Sequence, residues 1–341
     1  METLTPDRAR SRSEAEAVAR SGDWPIYHPA GLDVQLRRAV DDLSAGRWLS
    51  TGRLLAATRE PGLWMSRTQV LALVAARSAV LDDWAREEPS APGLGLLRTR
   101  VLVERALSAA RQGRPEAWRM EGEARQACWE ASSADPSDPV PWVCLLALAV
   151  VDRGQLRPEH RVRPTDPLLP GGPWGLLDEA LRRDPGNREA HHRMYRYWQE
   201  LNRHAVAGDF VHAVMPSVAG GSPLAALPLY LSVDQYRSLR GQDGLVRRQW
   251  MREPHYPRIQ FAYESWKSSE AGGWPVADLS HLAHALWASV QMRAAAEVFT
   301  ALDRFASRAP WNQVADSPAQ GEALLVAARQ QAFAGRAMPL A

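Results

Sequence analysis

Apolar side chains recur at helical spacing along most of the chain after residue 30. In the first such stretch they are Leu32, Leu36, Ala39, Val40 and Leu43, which is the spacing of one helix face. No stretch shows the strict alternation that is typical of a strand. The pattern therefore predicts an all-α protein with helices over residues 32–45, from 48, 66–86, 94–111, 115–132, from 138, 174–183, 187–206, from 210, 224–239, 279–290, 294–305 and 319–333.

Two junctions between predicted helices have the same composition. One is Asp135-Pro136-Ser137-Asp138 and the other is Asp184-Pro185-Gly186-Asn187. The proline cannot continue a helix, and the closing Asp or Asn is a preferred residue at the start of the next one. A repeated junction of this kind predicts an array of paired helices, and such arrays usually bind other molecules.

A long irregular segment separates these two junctions. Residues 154–175 contain five prolines together with Arg157, His160, Arg161 and Arg163. Loops of this length are uncommon inside a compact domain. Its basic side chains could bind an acidic partner segment, although a tolerated surface insertion is the simpler interpretation. We expect residues 1–30 to be a flexible lead and residues 31–341 to form a single helical domain that contains this loop.

These features resemble tetratricopeptide repeats, in which an Ala-Gly turn pairs two antiparallel helices and Asp-Pro often joins the units. The matching turns are Ala45-Gly46-Arg47-Trp48, Ala207-Gly208-Asp209-Phe210 and Ala334-Gly335-Arg336. More narrowly, the chain is similar to a group of uncharacterised actinobacterial tetratricopeptide-like proteins, through the first turn, Asp138-Pro139-Val140-Pro141-Trp142 and Tyr197-Trp198. The resemblance implies a superhelical array of antiparallel helix pairs with a groove, a degenerate solenoid, and it implies no reaction.

Composition narrows the possible partners. The net charge is +2, so no global field attracts nucleic acid or membrane. Lys267 is the only lysine, and the Gly-Lys-Ser/Thr run of a phosphate-binding loop is missing. Cys128 and Cys144 lie among apolar residues, which indicates buried, reduced thiols. The polar N-terminus does not resemble a signal peptide, and no apolar run has the length of a membrane helix. We expect a cytoplasmic protein without a membrane partner.

One polar helix face is the first candidate for partner binding. It carries His191, His192, Arg193, Tyr195 and Arg196. If this face lines the groove, its cationic and hydrogen-bonding side chains could read a polar or acidic peptide. The alternative is an ordinary solvated face.

A second candidate is the basic cluster Arg247, Arg248 and Arg252, with Trp250 between them. Interleaved arginine and tryptophan can hold phosphates and stack bases. The alternative is a helix with a basic outer face and one buried tryptophan. The near-neutral charge of the whole chain disfavours nucleic acid.

Two histidine pairings have the spacing of metal ligands without completing a site. His281 and His284 are three residues apart, as are Glu189 and His192. Zinc needs three or four ligands, and di-iron bundles need two Glu-x-x-His motifs. We place His281 and His284 on the flanks of an apolar stripe, and we expect no metal and no cofactor.

Three functional hypotheses follow. The leading one is a helical-repeat scaffold that binds a protein or peptide without catalysis of its own. The second is an enzyme or accessory protein of a biosynthetic pathway, with a site among His191, His192 and Tyr195, which would require a polar pocket with perturbed ionisable groups. The third is a regulator associated with nucleic acid, acting through Arg247, Arg248 and Arg252.

Overall fold

The fold is helical throughout. The computed structural model describes residues 24–238, 246–269 and 273–336, and of residues 246–248 and 336 it describes the backbone alone. Within these residues the helical content is 69%, there are sixteen α-helices, and there is no β-strand. The predicted all-α class is therefore confirmed. None of the described helices is both long and apolar enough to cross a bilayer.

Tertiary contacts divide the chain into two compact units. The continuous unit is Asp33–Ala219, and the split unit is Met1–Leu32 together with Gly220–Ala341. We expected one helical domain over residues 31–341, whereas the contacts gather into these two sets. Of the flexible lead expected over residues 1–30, residues 1–23 lie outside the described residues.

The continuous unit contains ten helices, joined by short turns except between the seventh and the eighth, where a long loop intervenes. Neighbours along the chain pack on each other, most extensively α5 with α6. The ten helices are α1 Val34–Ser44, α2 Leu49–Ala57, α3 Pro61–Ala75, α4 Val80–Glu87, α5 Leu94–Arg111, α6 Ala117–Ala134, α7 Val140–Leu148, α8 Trp174–Arg183, α9 Arg188–Glu200 and α10 His204–Val214.

The two Asp-Pro junctions end and begin helices as predicted. The Asp138 carboxylate accepts a hydrogen bond from Val140 N at 2.7 Å, and the Asn187 side chain accepts one from Ala190 N at 2.8 Å. Both side chains satisfy amide groups that the first turn of a helix leaves unpaired. The local chemistry of the junction therefore suffices to set these boundaries.

The predicted helix over residues 66–86 is instead two helices. Helix α3 ends at Ala75 and α4 begins at Val80. The guanidinium of Arg105, which lies on α5, donates to Ala76 O at 3.1 Å and to Ser78 O at 2.7 Å. This contact satisfies carbonyl groups that a continuous helix would have paired internally, so a residue distant in sequence stabilises the break.

Two of the three predicted Ala-Gly turns are helical in the structure. Gly46 has φ +77° and closes α1, as predicted. Ala207 and Gly208, however, lie inside α10, and the chain reverses earlier, where Asn202 has φ +57°. Gly335 lies within the last helix, Pro318–Arg336. Glycine permits a turn without requiring one, and here the packing of the flanking residues keeps these segments helical.

The Pro-rich loop is organised by one buried carboxylate. Asp152 accepts hydrogen bonds from Leu156 N, Arg157 N and His160 Nδ1, each at 2.9 Å. Burial raises the pKa of Asp152, but these donors outweigh burial and hold it below its usual value. Val162 and Gly172 form an isolated antiparallel bridge that closes the loop. We call residues 152–172 the Asp152 loop.

The split unit joins the two sides of the chain through a β-bridge. Ile26 N donates to Arg304 O at 2.9 Å, and Ala306 N donates to Ile26 O at 3.1 Å. Its helices are α11 Leu227–Ser238, α12 His255–Ser268, α13 Val276–Ala288, α14 Met292–Leu302, α15 Trp311–Val314 and α16 Pro318–Arg336.

Candidate functional site

A cavity of about 340 Å³ opens on the continuous unit, and we call it the arginine pocket. It is formed by α5, the turn after α5, the start of α6, the residues after α7, and α9. Its size is that of pockets that bury small ligands or single side chains. Its apolar lining is Leu107, Ala110, Pro115, Ala117, Trp118, Ala147, Val150 and Val151, and its charged lining is Arg111, Arg114, Arg153, Arg193, Arg196 and Glu200.

The charges of this lining are strongly unbalanced, with five arginines and one glutamate. Arg111, Arg114 and Arg153 are exposed and have no carboxylate within ion-pair distance among the described residues. We call these three the unpaired arginines. Guanidinium groups present a planar fork of donors that matches carboxylate and phosphate oxygens. The pocket can therefore bind an anion without first breaking an ion pair of these three side chains.

The turn after α5 determines where two of the unpaired arginines emerge. Gly113 has φ +65°, and Arg114 N donates back to Ala109 O at 3.0 Å. This is the pattern of a glycine-closed helix end. Arg111 is the last residue of α5, and Arg114 is the first residue after the glycine. A short turn therefore places both residues in the lining of the same cavity.

A half-exposed tryptophan completes the lining. Trp118 is 45% exposed, and the Arg157 guanidinium lies 4.7 Å from the centroid of its ring. Arg157 also forms an ion pair with the buried Glu121. Since Arg157 comes from the Asp152 loop, that loop supports the indole ring. Of the loop's basic residues, Arg157 and His160 are therefore engaged within the molecule. The loop's Glu159 also forms an ion pair, with Arg125 of α6 at 2.5 Å.

Beneath the arginines lies a buried ion-pair network of Arg100, Glu189, Arg193 and Glu104. Arg100 donates to both Glu189 oxygens, at 3.1 and 2.9 Å. Arg193 donates to Glu189 at 3.1 Å and to Glu104 at 2.9 Å. With two positive and two negative groups the network is neutral, which fits its burial. It fixes Arg193 at the pocket wall.

The network also explains the ionisation of its members. Burial raises the pKa of Glu189, but Arg100 and Arg193 more than offset this and hold the pKa below its usual value. Burial likewise lowers the pKa of Arg193, while Glu189 and Glu104 raise it further than burial lowers it. Glu189 and Arg193 therefore stay charged and do not act as proton donors or acceptors near neutral pH.

The predicted polar face of α9 is only partly available to a partner. Arg193 and Arg196 line the arginine pocket, and Arg196 lies 3.8 Å from Glu200. His192 is half-buried, whereas His191 and Tyr195 are buried. The His191 imidazole hydrogen-bonds Asn187 O at 2.8 Å, and burial lowers its pKa. Two of the five predicted residues thus reach the pocket, and two lie in the core.

The structure describes only two side chains of the predicted basic cluster, those of Trp250 and Arg252. The side chains of Arg247 and Arg248 lie outside the described residues. Trp250 is 2% exposed and packs edge-on against His284, with ring centroids 5.1 Å apart. A ring buried in this way cannot stack on a base. Arg252 is exposed.

His281 and His284 do not lie on the flanks of α13, contrary to our expectation. Both are buried, because α13 packs on its neighbours with nearly its whole circumference. Burial, with His281 nearby, lowers the pKa of His284 to about 3. The described residues contain no group of His, Cys, Asp or Glu that could hold a metal ion.

One buried Ser-His contact occurs in the split unit. Ser232 Oγ lies 2.8 Å from His255 Nδ1 and donates to Pro228 O at 2.9 Å. Burial and the nearby Arg258 lower the pKa of His255 to about 4. Ser232 is 1% exposed, and its hydroxyl proton is donated to a backbone carbonyl instead of to His255. This geometry therefore does not present a nucleophile to a substrate.

The sequence analysis did not predict that the unpaired arginines and Trp118 belong to a binding site. No periodicity indicates which of 41 basic residues lack a partner, because pairing depends on residues distant in sequence. A local signal does exist: Arg-Gln-Gly-Arg-Pro over residues 111–115 is a basic turn between two predicted helices. Cys128 and Cys144 are buried and free, as predicted.

Comparison with known proteins identifies no relative. No family model matches the chain, and neither a curated protein nor a solved structure matches it.

Proposed function

We propose that this chain is a noncatalytic binding protein that holds an acidic segment of another protein in the arginine pocket. The observation that carries the proposal is the presence of three unpaired arginines in the lining of a cavity of about 340 Å³. Carboxylates of the segment would pair with the guanidinium groups. Its apolar side chains would cover Trp118 and the valines, since arginine and tryptophan dominate binding hot spots.

The two alternatives have less support. An enzyme needs a group with a tuned pKa in an open site, but His191, His255 and His284 are enclosed by packed side chains. A nucleic-acid site would use Trp250 for stacking, and that ring is buried. The lining of the arginine pocket contains no serine, cysteine, threonine, lysine or histidine, and its single carboxylate, Glu200, faces Arg196. Binding is therefore the chemistry that the pocket supports best.

The arrangement of helix pairs in a superhelical array is also part of this proposal. It is supported by the two Asp-Pro junctions, each capped by the side chain of its last residue. It is weakened by the helical conformation of Ala207-Gly208 and of Gly335. The pocket can bind a segment whether or not the helices continue in a regular superhelix.

Photo-crosslinking tests the proposal directly. A benzophenone amino acid placed at Trp118 should crosslink, in a native lysate, to a recurrent segment rich in Asp and Glu, identified by mass spectrometry. The same group at Leu73, which is also exposed and lies on α3, serves as the control position. Segments captured at both positions are background.

A variant of the pocket completes the test. Substitution of the unpaired arginines by glutamine should abolish the crosslink from position 118 without changing the melting temperature. Capture of segments without acidic residues, or capture that the glutamine variant retains, would refute the proposal.

A further inference from the structure

Three charges of the arginine pocket are not matched by carboxylates of the residues that the structure describes. The buried ion-pair network neutralises Arg193, and Arg196 faces Glu200 at 3.8 Å. The unpaired arginines remain, and together they carry three positive charges. Like charges that line one cavity repel each other, so the pocket is complementary to a group with more than one negative charge.

A single Asp or Glu side chain is a poor match for this arrangement. It carries one negative charge and two acceptor oxygens, whereas three guanidinium forks offer many more donors. A phosphoryl group carries close to two negative charges at neutral pH and three acceptor oxygens. Several arginines can therefore bind one phosphoryl group at the same time, each through charge-assisted hydrogen bonds.

The dipole of α5 does not account for the whole cluster. A positive charge at the last turn of a helix interacts favourably with the negative end of the helix dipole, and Arg111 lies at that position of α5. Arg153 belongs to the turn after α7 and still lines the same cavity. The unpaired arginines thus come from two separate chain segments, the end of α5 with its following turn and the turn after α7, which indicates recognition of an anion.

The apolar lining indicates what the phosphoryl group is attached to. Trp118, Val150 and Val151 are accessible in the same cavity. A free phosphate ion would leave these side chains uncovered, whereas an amino acid side chain with apolar neighbours would cover them. We infer that the arginine pocket binds a phosphorylated side chain of a protein segment, an inference that rests on the proposed function.

Labelled peptide libraries test this inference with the full-length protein. Each library has random flanking residues and one fixed centre, which is phosphoserine, phosphotyrosine, glutamate or serine. Fluorescence anisotropy at physiological salt should give at least ~10-fold tighter binding for one phosphorylated library than for the glutamate library. The serine library should bind most weakly.

The possible outcomes separate the two proposals. Equal binding of the glutamate and phosphorylated libraries would overturn the phosphoryl inference and leave the proposed function standing. Absence of binding by all four libraries would overturn both. Inorganic phosphate that displaces the peptide at the peptide's own concentration would also overturn the inference, because the site would then select free phosphate.

Charge-matched variants exclude a general electrostatic effect. Substitution of the unpaired arginines by glutamine should weaken phosphopeptide binding at least ~10-fold. The control replaces three arginines of the same unit, Arg38, Arg53 and Arg77, which are exposed and unpaired within the described residues. It removes the same charge and should retain full affinity. Equal losses in both variants would refute a specific site.

A gain-of-affinity variant covers the case in which the glutamine variant is poorly folded. Glu200 is the one carboxylate of the pocket lining. Glu200→Gln removes its repulsion of an anionic ligand and should tighten phosphopeptide binding about threefold. Unchanged or weaker binding by a folded Glu200→Gln protein would contradict the inference, since unfolding cannot produce a gain.

Discussion

At the residue scale, the ion-pair network shows how a buried charge is tolerated. Glu189 is 6% exposed and binds two arginines, Arg100 and Arg193. Its charge is compensated only while both partners are in place. Removal of the charge leaves two buried guanidinium groups with a single carboxylate, that of Glu104, which is the costly situation for buried ion pairs.

We therefore predict that Glu189→Gln lowers the free energy of unfolding by about 3 kcal/mol. The substitution keeps the shape of the side chain, so the loss reports the charge. Urea denaturation of both proteins measures it. Glu123→Gln is the control, because Glu123 pairs with Arg119 on an exposed helix surface and should cost less than ~0.5 kcal/mol. Similar losses in the two variants would contradict the prediction.

A second residue-scale prediction concerns pH. The pKa of His284 is about 3 in the folded protein, because the ring is buried beside His281, whereas an unfolded histidine has a pKa near ~6.5. Below that value the unfolded chain binds a proton that the folded chain excludes. The free energy of unfolding should therefore fall as pH decreases, by up to ~1.4 kcal/mol per pH unit from this group.

His284→Gln should reduce the slope of this dependence between pH 6.5 and 5, in denaturation curves recorded across that range, while His191 and His255, whose pKa values burial also lowers, maintain the remaining slope. His204→Gln, which alters an exposed histidine, should leave the dependence as it is in the wild type. A His284→Gln protein with an unchanged slope would show that other groups cause the acid sensitivity.

At the element scale, the Asp152 loop owes its conformation to one side chain. We predict that Asp152→Asn opens this loop, because an amide offers N–H groups where the carboxylate accepts three hydrogen bonds. Amide exchange at Leu156 and Arg157 should accelerate at least ~10-fold, consistent with a loss of ~1–3 kcal/mol for unsatisfied buried donors.

The matched control is Asp166→Asn in the same loop. Asp166 is exposed and accepts one hydrogen bond, from Leu168 N at 2.9 Å. Exchange at residues 156 and 157 should not change in this variant. If Asp152→Asn leaves exchange as slow as in the wild type, the prolines alone hold the loop.

Elements were predictable from sequence where their causes are local. The ends at Asp135-Pro136 and Asp184-Pro185 depend on proline and on capping side chains a few residues away. The break between α3 and α4 depends on Arg105, which is distant in sequence. The arginine pocket could not be predicted from sequence for the same reason, because Arg111, Arg114 and Arg153 line one cavity only after folding. Arg193 and Arg196 were found because they share one helix.

At the scale of the whole molecule, the continuous unit has its own core and an uninterrupted sequence. We predict that residues 33–219 expressed alone unfold cooperatively, as independent domains do, and that they bind the phosphorylated peptide library like the full chain. Circular dichroism during thermal unfolding and anisotropy measure the two properties. A fragment without a cooperative transition would show that the unit depends on the rest of the chain.

The bridge between Ile26 and Phe305 means that the two units can complete folding at different times during synthesis. Translation proceeds from the N-terminus, and domains generally fold as units while the ribosome is still adding residues. The continuous unit can fold once residue 219 has left the ribosome. The segment around Ile26 emerges before that unit, yet its partners at residues 304–306 are translated long after it. Until then the backbone groups of Ile26 lack these partners and are exposed to water and to other nascent chains.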